Sequence, residues 1–193
     1  MTEGDVVFAT PVRVGDVMVS GLRVLYGRET IAARVRTLAG EIERLRTDAP
    51  LVAVCVLKGG FMFFGDLARY LHTEGLELDF VRLASYGRSS ESSGTVSLVK
   101  DMETPIADKD VLVVEDVVDT GHTLAFLKAE LLRRGPRSVR TAVLVDKPAR
   151  RVAEFSPDFT GFVLEEDRFI VGYGMDLAER YRTLADICEI VPA

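Results

Sequence analysis

The stretch VLVVEDVVDTGHTL, residues 111–124, changes character halfway along its length. Its first four residues are apolar, as in a strand that is covered on both faces of a sheet. Glu115 and Asp116 follow directly, and after two more valines come Asp119 and the small polar run 120–123. Carboxylates this close together would cost several kcal/mol if they were buried without partners. The segment therefore indicates a strand, expected over residues 111–115, that ends at a site where acidic groups have a function.

The turn after these carboxylates is suited to a phosphate. In an open parallel sheet, ligands bind beyond the carboxyl ends of the strands, so Glu115 and Asp116 need not be buried. The helix expected to begin near residues 122–124 offers unpaired backbone N–H groups and a partial positive charge. Gly121 allows a close approach, and the threonine hydroxyls on either side of it add donors. Acids that accept hydroxyl hydrogen bonds or ligate a divalent metal, placed beside a phosphate cradle, predict a sugar phosphate as ligand.

A structural alternative explains part of this pattern. Asp119 and Thr120 could cap the helix while Glu115 and Asp116 are solvated, because Asp and Thr are common N-caps. That alternative leaves the adjacent Glu-Asp pair at the strand end without a role. Two other phosphate-binding patterns are excluded, since the chain has no G-x-x-x-x-G-K-[ST], and no G-x-G-x-x-G follows a strand.

Segments typical of strands and helices alternate along the rest of the chain. Apolar residues at steps of four and three predict an amphipathic helix over residues 28–48, capped near Glu29–Thr30; they are Ile31, Val35, Leu38, Ile42 and Leu45. Further strands are expected at 51–57, 76–85, within 86–101 and at 138–146, with helices over 59–72 and from 122 to the stop signal Gly135-Pro136. This alternation predicts an α/β fold with a mostly parallel central sheet flanked by helices.

Composition narrows the class of protein. The 193 residues and the hydrophobic share of 48% fit one large domain with a buried core. The net charge of −6 argues against a general binder of nucleic acid or membranes. No apolar signal core or membrane-spanning stretch is present, and Cys55 and Cys188 match no metal-binding spacing. We expect a soluble protein of the reducing cytoplasm, with both cysteines in the core.

Residues 111–124 resemble the phosphoribosyl pyrophosphate (PRPP) signature of type I phosphoribosyltransferases, in the version typical of the hypoxanthine-guanine branch. Four more motifs follow the family's order. LKGG (57–60) resembles the pyrophosphate loop, SYG (85–87) the start of a mobile loop that closes over the site, LVDKPARR (144–151) the segment with the base-recognition lysine, and residues 157–182 the hood that encloses the purine. The resemblance spans residues 28–191 and implies the type I phosphoribosyltransferase fold, with a small hood over the active site.

The resemblance also implies an organisation for the whole chain. Residues 1–193 would form a single phosphoribosyltransferase domain, with a core over about 28–150 and a hood over about 151–193 plus part of the N-terminus. Residues 86–96 would form a flap over the site. The partners implied are PRPP, hypoxanthine and guanine, without nucleic acid or membrane, in a homodimer or homotetramer.

By the same resemblance, PRPP lies along the carboxyl edge of the sheet. Glu115 and Asp116 bind the ribose hydroxyls, for which carboxylates are good acceptors. The 5′-phosphate is held by Val118, Asp119, Thr120, Gly121, His122 and Thr123. Pyrophosphate is held by Lys58, Gly59, Ser85, Tyr86 and Arg182. In this family the peptide bond before the lysine of the pyrophosphate loop is often cis.

The purine is expected to meet Asp119, Lys147 and the hood. Asp119, near N7, is the general acid/base, because the purine must lose a proton as N9 attacks an oxocarbenium-like sugar. Lys147 donates to the 6-oxo group and so selects oxopurines over adenine, whose amino group is a donor. The other purine contacts are Phe169, which stacks on the base, Ile170 through its backbone, and Asp176. The cofactor implied is Mg²⁺, with Glu115, Asp116 and Asp176 as candidate ligands.

Other interpretations remain open for these residues. Without the resemblance, Lys147 would be a surface lysine after a strand, Phe169 a core aromatic and Arg182 a solvated arginine on a helix. A PRPP-responsive regulator on the same fold would bind nucleic acid, usually through a basic face or an added domain. A transferase for adenine, xanthine or uracil is a further alternative, although Lys147 and the aromatic hood favour a 6-oxopurine. We predict a purine salvage transferase that makes IMP and GMP and releases pyrophosphate.

Overall fold

The computed structural model describes residues 6–71, 74–86 and 95–193. The elements, in chain order, are β1 (Val6–Val14), β2 (Val17–Tyr26), α1 (Arg28–Arg44), β3 (Leu51–Leu57), α2 (Phe61–Ala68), β4 (Glu77–Tyr86), β5 (Thr95–Lys100), β6 (Asp110–Val118), α3 (His122–Leu132), β7 (Ser138–Asp146), β8 (Phe159–Val163), β9 (Ile170–Val171) and β10 (Ile187–Pro192). The strand–helix alternation predicted for the middle of the chain is present.

Six strands form the central sheet in the order β5-β4-β3-β6-β7-β8. All neighbours pair in parallel except β4 and β5, which are antiparallel. The predicted α/β class with a mostly parallel sheet is therefore confirmed. A sheet of this kind presents the carboxyl ends of its parallel strands at one edge, which is where ligands bind in open α/β folds.

The apolar run of β3 is explained by helices on both faces of the sheet. Leu51, Ala53 and Cys55 pack with residues of α1 and α2. Val52 and Val54, which point to the opposite face, pack with residues of α3. A strand covered in this way needs an apolar side chain at every position rather than at alternate ones.

A smaller antiparallel sheet joins the two ends of the described chain. Its strand order is β1-β2-β10-β9, and β10 lies between β2 and β9. Six of its buried side chains form a separate cluster, made up of Val14, Val19, Leu22, Val171, Cys188 and Ile190, while Ile170 and Ile187 pack into the central core. Both cysteines are buried and unpaired, which confirms that they are core thiols. The boundary predicted between core and hood, at about residue 151, stays a prediction. Within the range predicted for the hood, β8 is a strand of the central sheet.

Several predicted boundaries were wrong. Strand β6 continues to Val118 instead of ending at 115, because it pairs with β7 as far as Asp146. Helix α1 spans Arg28–Arg44, so it ends before the predicted residue 48, and its N-cap is Gly27 rather than a residue near Glu29–Thr30. Leu45, the last residue of the apolar stripe, is the C-cap and is 53% exposed. Helix α2 is limited to the eight residues Phe61–Ala68.

The predicted flap and the expected absence of a membrane-spanning segment can be compared only with the described residues. Most of the predicted flap, residues 87–94, lies outside the described residues, and the remaining positions belong to β4 and β5. No helix in the described ranges is long and apolar enough to cross a bilayer.

Candidate active site

A cleft of about 450 Å³ opens at the carboxyl edge of β6 and β7. It is lined from several separate segments of the chain, namely by Asp116, Val117, Asp119, Lys147, Arg150, Asp167, Phe169, Ile170, Met175 and Asp176. Six of the sequence-predicted site residues thus face one cleft: Asp116, Asp119, Lys147, Phe169, Ile170 and Asp176. They include every residue predicted to contact the purine.

A second cavity of about 100 Å³ adjoins the first and shares Val117 and Asp119 with it. Its other lining residues come from the end of β6 and the start of α3, namely Glu115, Val118, Thr120, Gly121, Thr123 and Leu124. His122, which was also predicted to hold phosphate, is the first residue of α3. This cavity therefore lies against a helix N-terminus, where backbone N–H groups are available to an anion.

The N-terminus of α3 is not capped by a side chain. Its N-cap is Gly121, with φ of +86°, and no side chain makes a capping hydrogen bond there. The capping alternative for Asp119 and Thr120 is therefore wrong. Glycine reaches this left-handed conformation without strain. A Cβ on Gly121 would also lie 2.8 Å from Cδ of Arg151, so a larger residue here would have to displace the Arg151 side chain.

Glu115 and Asp116 lie within β6, not beyond its end, which corrects the expectation that they need no burial. Oε2 of Glu115 is buried and, among the described residues, has no hydrogen-bond partner. Burial, followed by the neighbouring Asp116, raises the pKa of Glu115 well above its usual value. Burial likewise raises the pKa of Asp116 to about 6, although backbone N–H groups and Arg182 oppose the shift. Glu115 Oε2 therefore lacks a hydrogen-bond donor among the described residues, and a sugar hydroxyl could supply one.

Asp119 is held at two atoms by consecutive arginines. Arg150 Nε donates to Asp119 Oδ1 at 2.7 Å, and Arg151 Nε donates to the backbone oxygen of Asp119 at 3.0 Å. Arg150 Nη1 also donates to Asp167 Oδ2 at 2.8 Å. Sequence reasoning did not single out these arginines or Asp167, although both arginines lie in the motif quoted for the base-recognition lysine. The signal was the adjacent Arg-Arg pair.

Lys147 and Phe169 do not fit the structural alternatives offered for them. Lys147 is only 7% exposed, and its Nζ donates to the backbone oxygen of Arg168 at 2.9 Å and to Asp167 Oδ1 at 3.2 Å. A solvated surface lysine would show neither feature. Phe169 is 55% exposed at the wall of the cleft, so it is not a core aromatic. Arg150 and then Lys147 hold the pKa of Asp167 below its usual value.

The segment after β3 approaches Asp116 closely. The peptide bond between Leu57 and Lys58 is cis. A Cβ on Gly59 would lie 1.9 Å from Asp116 Oδ2, and a Cβ on Gly174 would lie 2.0 Å from the backbone oxygen of Gly59. Only glycine fits at both positions, so the loop that was predicted to bind pyrophosphate touches the acidic pair on one side and residues near the C-terminus on the other.

Arg182 lies in a region of turns, which corrects its placement on a helix. The region contains the bridges Gly172–Met175 and Leu177–Arg180. Arg182 Nη2 lies 2.7 Å from Asp176 Oδ1 and 3.0 Å from Glu179 Oε2, whose other oxygen accepts from Lys58 Nζ at 3.0 Å. Glu179 thus connects the two cations predicted to bind pyrophosphate, and sequence reasoning missed it.

Four predicted residues whose side chains the structure describes line neither cavity. They are His122 and three of the residues assigned to pyrophosphate, Lys58, Gly59 and Arg182. Ser85 and Tyr86 are the last residues of β4 and pair in register with Val96 and Thr95 of β5. The structure therefore brings most residues predicted for base, ribose and phosphate to two adjoining cavities, while Gly59 and Arg182 approach the larger cavity through Asp116 and Asp176.

The carboxylates of the site could bind a divalent metal only together with other ligands. In the described part of the chain no three His, Cys, Asp or Glu side chains are grouped so as to hold an ion. Asp116 and Asp176 nevertheless both line the larger cleft. Mg²⁺ is commonly bound by one or two carboxylates, with waters and substrate phosphates completing its shell. The residues fit an ion of that kind, bound together with substrate.

Comparisons with known proteins identify the family of the chain. Residues 25–178 match the phosphoribosyl transferase domain family. The hypoxanthine-guanine phosphoribosyltransferase of Bacillus subtilis (strain 168) is 42% identical over 172 residues, which cover 89% of this chain and 94% of that protein. The enzyme of that name from Aquifex aeolicus (strain VF5) is 40% identical, covering 86% and 93%. A hypoxanthine phosphoribosyltransferase structure from Staphylococcus aureus has a TM-score of 0.84 at 37% identity, covering 88% and 91%. The chain therefore belongs to the phosphoribosyltransferase family, among the hypoxanthine-guanine phosphoribosyltransferases.

Proposed function

We propose that the protein joins hypoxanthine or guanine to PRPP, with Mg²⁺, and forms IMP or GMP and pyrophosphate. The observation that carries this proposal is the pair of adjoining cavities, one against the α3 N-terminus and one lined by Lys147 and Phe169, which share Asp119. A nucleotide needs such a pair, because its phosphate and its base lie on opposite sides of the ribose. In this proposal the phosphate occupies the smaller cavity and the base the larger.

Binding of PRPP would supply the donor that Glu115 lacks. The ribose hydroxyls would donate to Glu115 and Asp116, and Oε2 of Glu115 has no partner among the described residues of the free protein. Backbone N–H groups at the α3 N-terminus would hold the 5′-phosphate. Lys58 and Arg182 would meet pyrophosphate, for which Glu179 is the protein's own anionic substitute in the free chain.

The reaction replaces one bond at the anomeric carbon with another. The bond from this carbon to the pyrophosphate oxygen breaks with its electron pair, and the bond to N9 of the base forms. Positive charge develops on the sugar in between, and the base must release a proton. Asp119 would accept that proton at N7, since its carboxylate lines the cleft beside Lys147. Mg²⁺ would supply charge neutralisation for the leaving pyrophosphate, and Asp116 and Asp176, which line the same cleft, would hold it.

Selection of the base would depend on Lys147. Its ammonium group is buried in the wall of the cleft and fixed by two acceptors, so that one proton remains for a substrate. A 6-oxo group accepts that proton, whereas the 6-amino group of adenine is a donor. Phe169 would cover the face of the ring, and backbone groups at Ile170 would contact its far edge.

The test is nucleotide formation by the purified protein with MgCl₂ and PRPP. We expect IMP from hypoxanthine and GMP from guanine, little or no AMP from adenine, and loss of activity with EDTA that excess Mg²⁺ restores. Asp119→Asn should lower kcat by about 100-fold while the KM for PRPP changes little. A preference for adenine would refute the base assignment, and PRPP binding without any nucleotide product would favour the regulator instead.

We also propose that the protein acts in the cytoplasm as a homodimer or homotetramer. Two buried, reduced thiols are compatible with a reducing compartment. Light scattering at micromolar concentration should give twice or four times the 21.2 kDa chain mass. A monomer mass at all concentrations would contradict the assembly.

A further inference from the structure

Four charged side chains form a continuous ion-pair network along the wall of the larger cleft. In order they are Asp119, Arg150, Asp167 and Lys147, with alternating charge. The three contacts between them measure 2.7, 2.8 and 3.2 Å. The two ends of this network, Asp119 and Lys147, are the residues to which the proposed function assigns proton transfer and base selection. The middle two have no role in that function.

The base of Arg150 is fixed by backbone hydrogen bonds. Its own N–H donates to Lys147 O at 3.1 Å, and Lys147 N donates to Val118 O at 3.0 Å. Two residues further on, the N–H groups of Val152 and Ala153 both donate to Thr120 O. The segment that carries Arg150 is thus tied to both sides of Asp119.

The guanidinium of Arg150 is itself held at two points. Nε contacts Asp119 Oδ1, and a different nitrogen, Nη1, contacts Asp167 Oδ2. Two contacts through a planar, rigid group determine its orientation as well as its position. Among the described residues, the side-chain hydrogen bond that Asp119 accepts is the one from Arg150 to Oδ1, so Oδ2 is left available to a ligand of the cleft that Asp119 lines.

We propose that Arg150 is the positioning residue of Asp119, anchored by Asp167, and that it holds one carboxylate oxygen so that the other faces N7 of the bound purine. This inference rests on the proposed function of Asp119 and adds a residue to it. Because Asp167 also accepts from Lys147, the same ion-pair network sets the spacing between Asp119, which takes the proton, and Lys147, which donates to the 6-oxo group. An aspartate with two free rotamers would meet N7 only part of the time, and misplacement by about 1 Å can cost about 100-fold in rate.

The test is a double-mutant cycle on turnover. Arg150→Met should lower kcat for IMP formation by about 10-fold and leave the KM for PRPP within about twofold, because the PRPP contacts are elsewhere. Arg150→Lys should recover part of this loss, since an ammonium group reaches one carboxylate but cannot bridge two in a fixed plane. In an Asp119→Asn background, Arg150→Met should change kcat by less than about twofold, because the carboxylate it orients is gone.

Controls separate positioning from folding. Arg133→Met removes an exposed arginine that pairs with Glu130 far along α3, and it should keep wild-type kcat. If Arg150→Met lowers the thermal midpoint markedly, Asp167→Asn carries the test instead. That change keeps the side-chain shape but weakens the anchor of Arg150, and it should lower kcat by about threefold to fivefold with an unchanged midpoint.

Each failure has a distinct meaning. An Arg150→Met enzyme with wild-type kcat, or one whose loss is equally large in the Asp119→Asn background, overturns the positioning role. If Asp119→Asn alone keeps wild-type kcat, the proposed role of Asp119 fails, and the inference for Arg150 fails with it. If Asp119→Asn is impaired and the two losses multiply, only the inference for Arg150 fails.

Discussion

Asp116→Asn is expected to stabilise the free protein at neutral pH and to weaken its binding of PRPP. Burial raises the pKa of Asp116 from 3.8 to about 6 in the folded chain. Between these two values the folded state holds more protons than the unfolded state, so the free energy of unfolding falls as the pH rises through this window. Asparagine cannot ionise, so the Asp116→Asn protein does not lose this stability as the pH rises through the window.

The magnitude follows from the size of the shift. About two pH units at about 1.4 kcal/mol each set an upper bound of about 3 kcal/mol on the stability lost by pH 7.5. Asparagine leaves its own amide protons in need of partners, which offsets part of the gain. We therefore expect the unfolding free energy to rise by about 1–2 kcal/mol at pH 7.5 and to be nearly unchanged at pH 4.5. Loss of a charged acceptor for a ribose hydroxyl should weaken PRPP binding by about tenfold or more.

The assay is urea unfolding at the two pH values, with PRPP affinity measured by calorimetry at pH 7.5. Asp48→Asn serves as the control, because this aspartate is exposed and should change neither quantity. Equal stabilisation by Asp116→Asn at pH 4.5 and 7.5 would show that the effect is not ionisation. A loss of stability at pH 7.5 would refute the reasoning altogether.

Three other changes test separate parts of the site. Lys147→Met should reduce the preference for hypoxanthine over adenine by about 1–3 kcal/mol, read from the ratio of kcat/KM values, and an unchanged ratio would contradict its role. Gly174→Ala should lower the unfolding free energy by about 2 kcal/mol or more, because a Cβ would lie 2.0 Å from Gly59 O at a φ of +104°. The measurement is chemical denaturation. The control is Gly40→Ala, which should not destabilise because the space around its Cβ is open. Phe169→Ala should raise the KM for hypoxanthine about tenfold with a thermal midpoint close to wild type, since the ring is 55% exposed; a normal KM would exclude stacking.

The fold class was predictable because its signals are local. Continuous apolar runs at 51–57 and 111–114 require strands that are covered on both faces, and an apolar stripe at helical spacing requires a helix beside them. The boundaries were less predictable. The extension of β6 to Val118 depends on its partner β7, and α1 ends at Arg44 although the apolar stripe continues to Leu45, which is exposed in the folded chain.

The candidate site was predictable where one short segment carries several groups. Residues 115–123 supply two carboxylates, a further acid and a helix N-terminus in a continuous stretch, so their proximity is a property of the sequence itself. The sequence of this segment did not predict the burial of Glu115 and Asp116. It results from the longer strand and from Gly59, which approaches Asp116 from another part of the chain.

The sequence by itself determined which chemical groups the protein has and which of them are neighbours along the chain. Only the tertiary structure decided which distant groups meet: Lys58 with Glu179, 121 residues apart, and Asp119 with Arg150, 31 residues apart. These contacts depend on the strand order of the central sheet and on the return of the chain beside it. Hydrophobic patterning specifies that a strand or helix is buried, but charge pairing across a cleft depends on positions that packing sets to within an ångström, and a linear pattern does not contain that information.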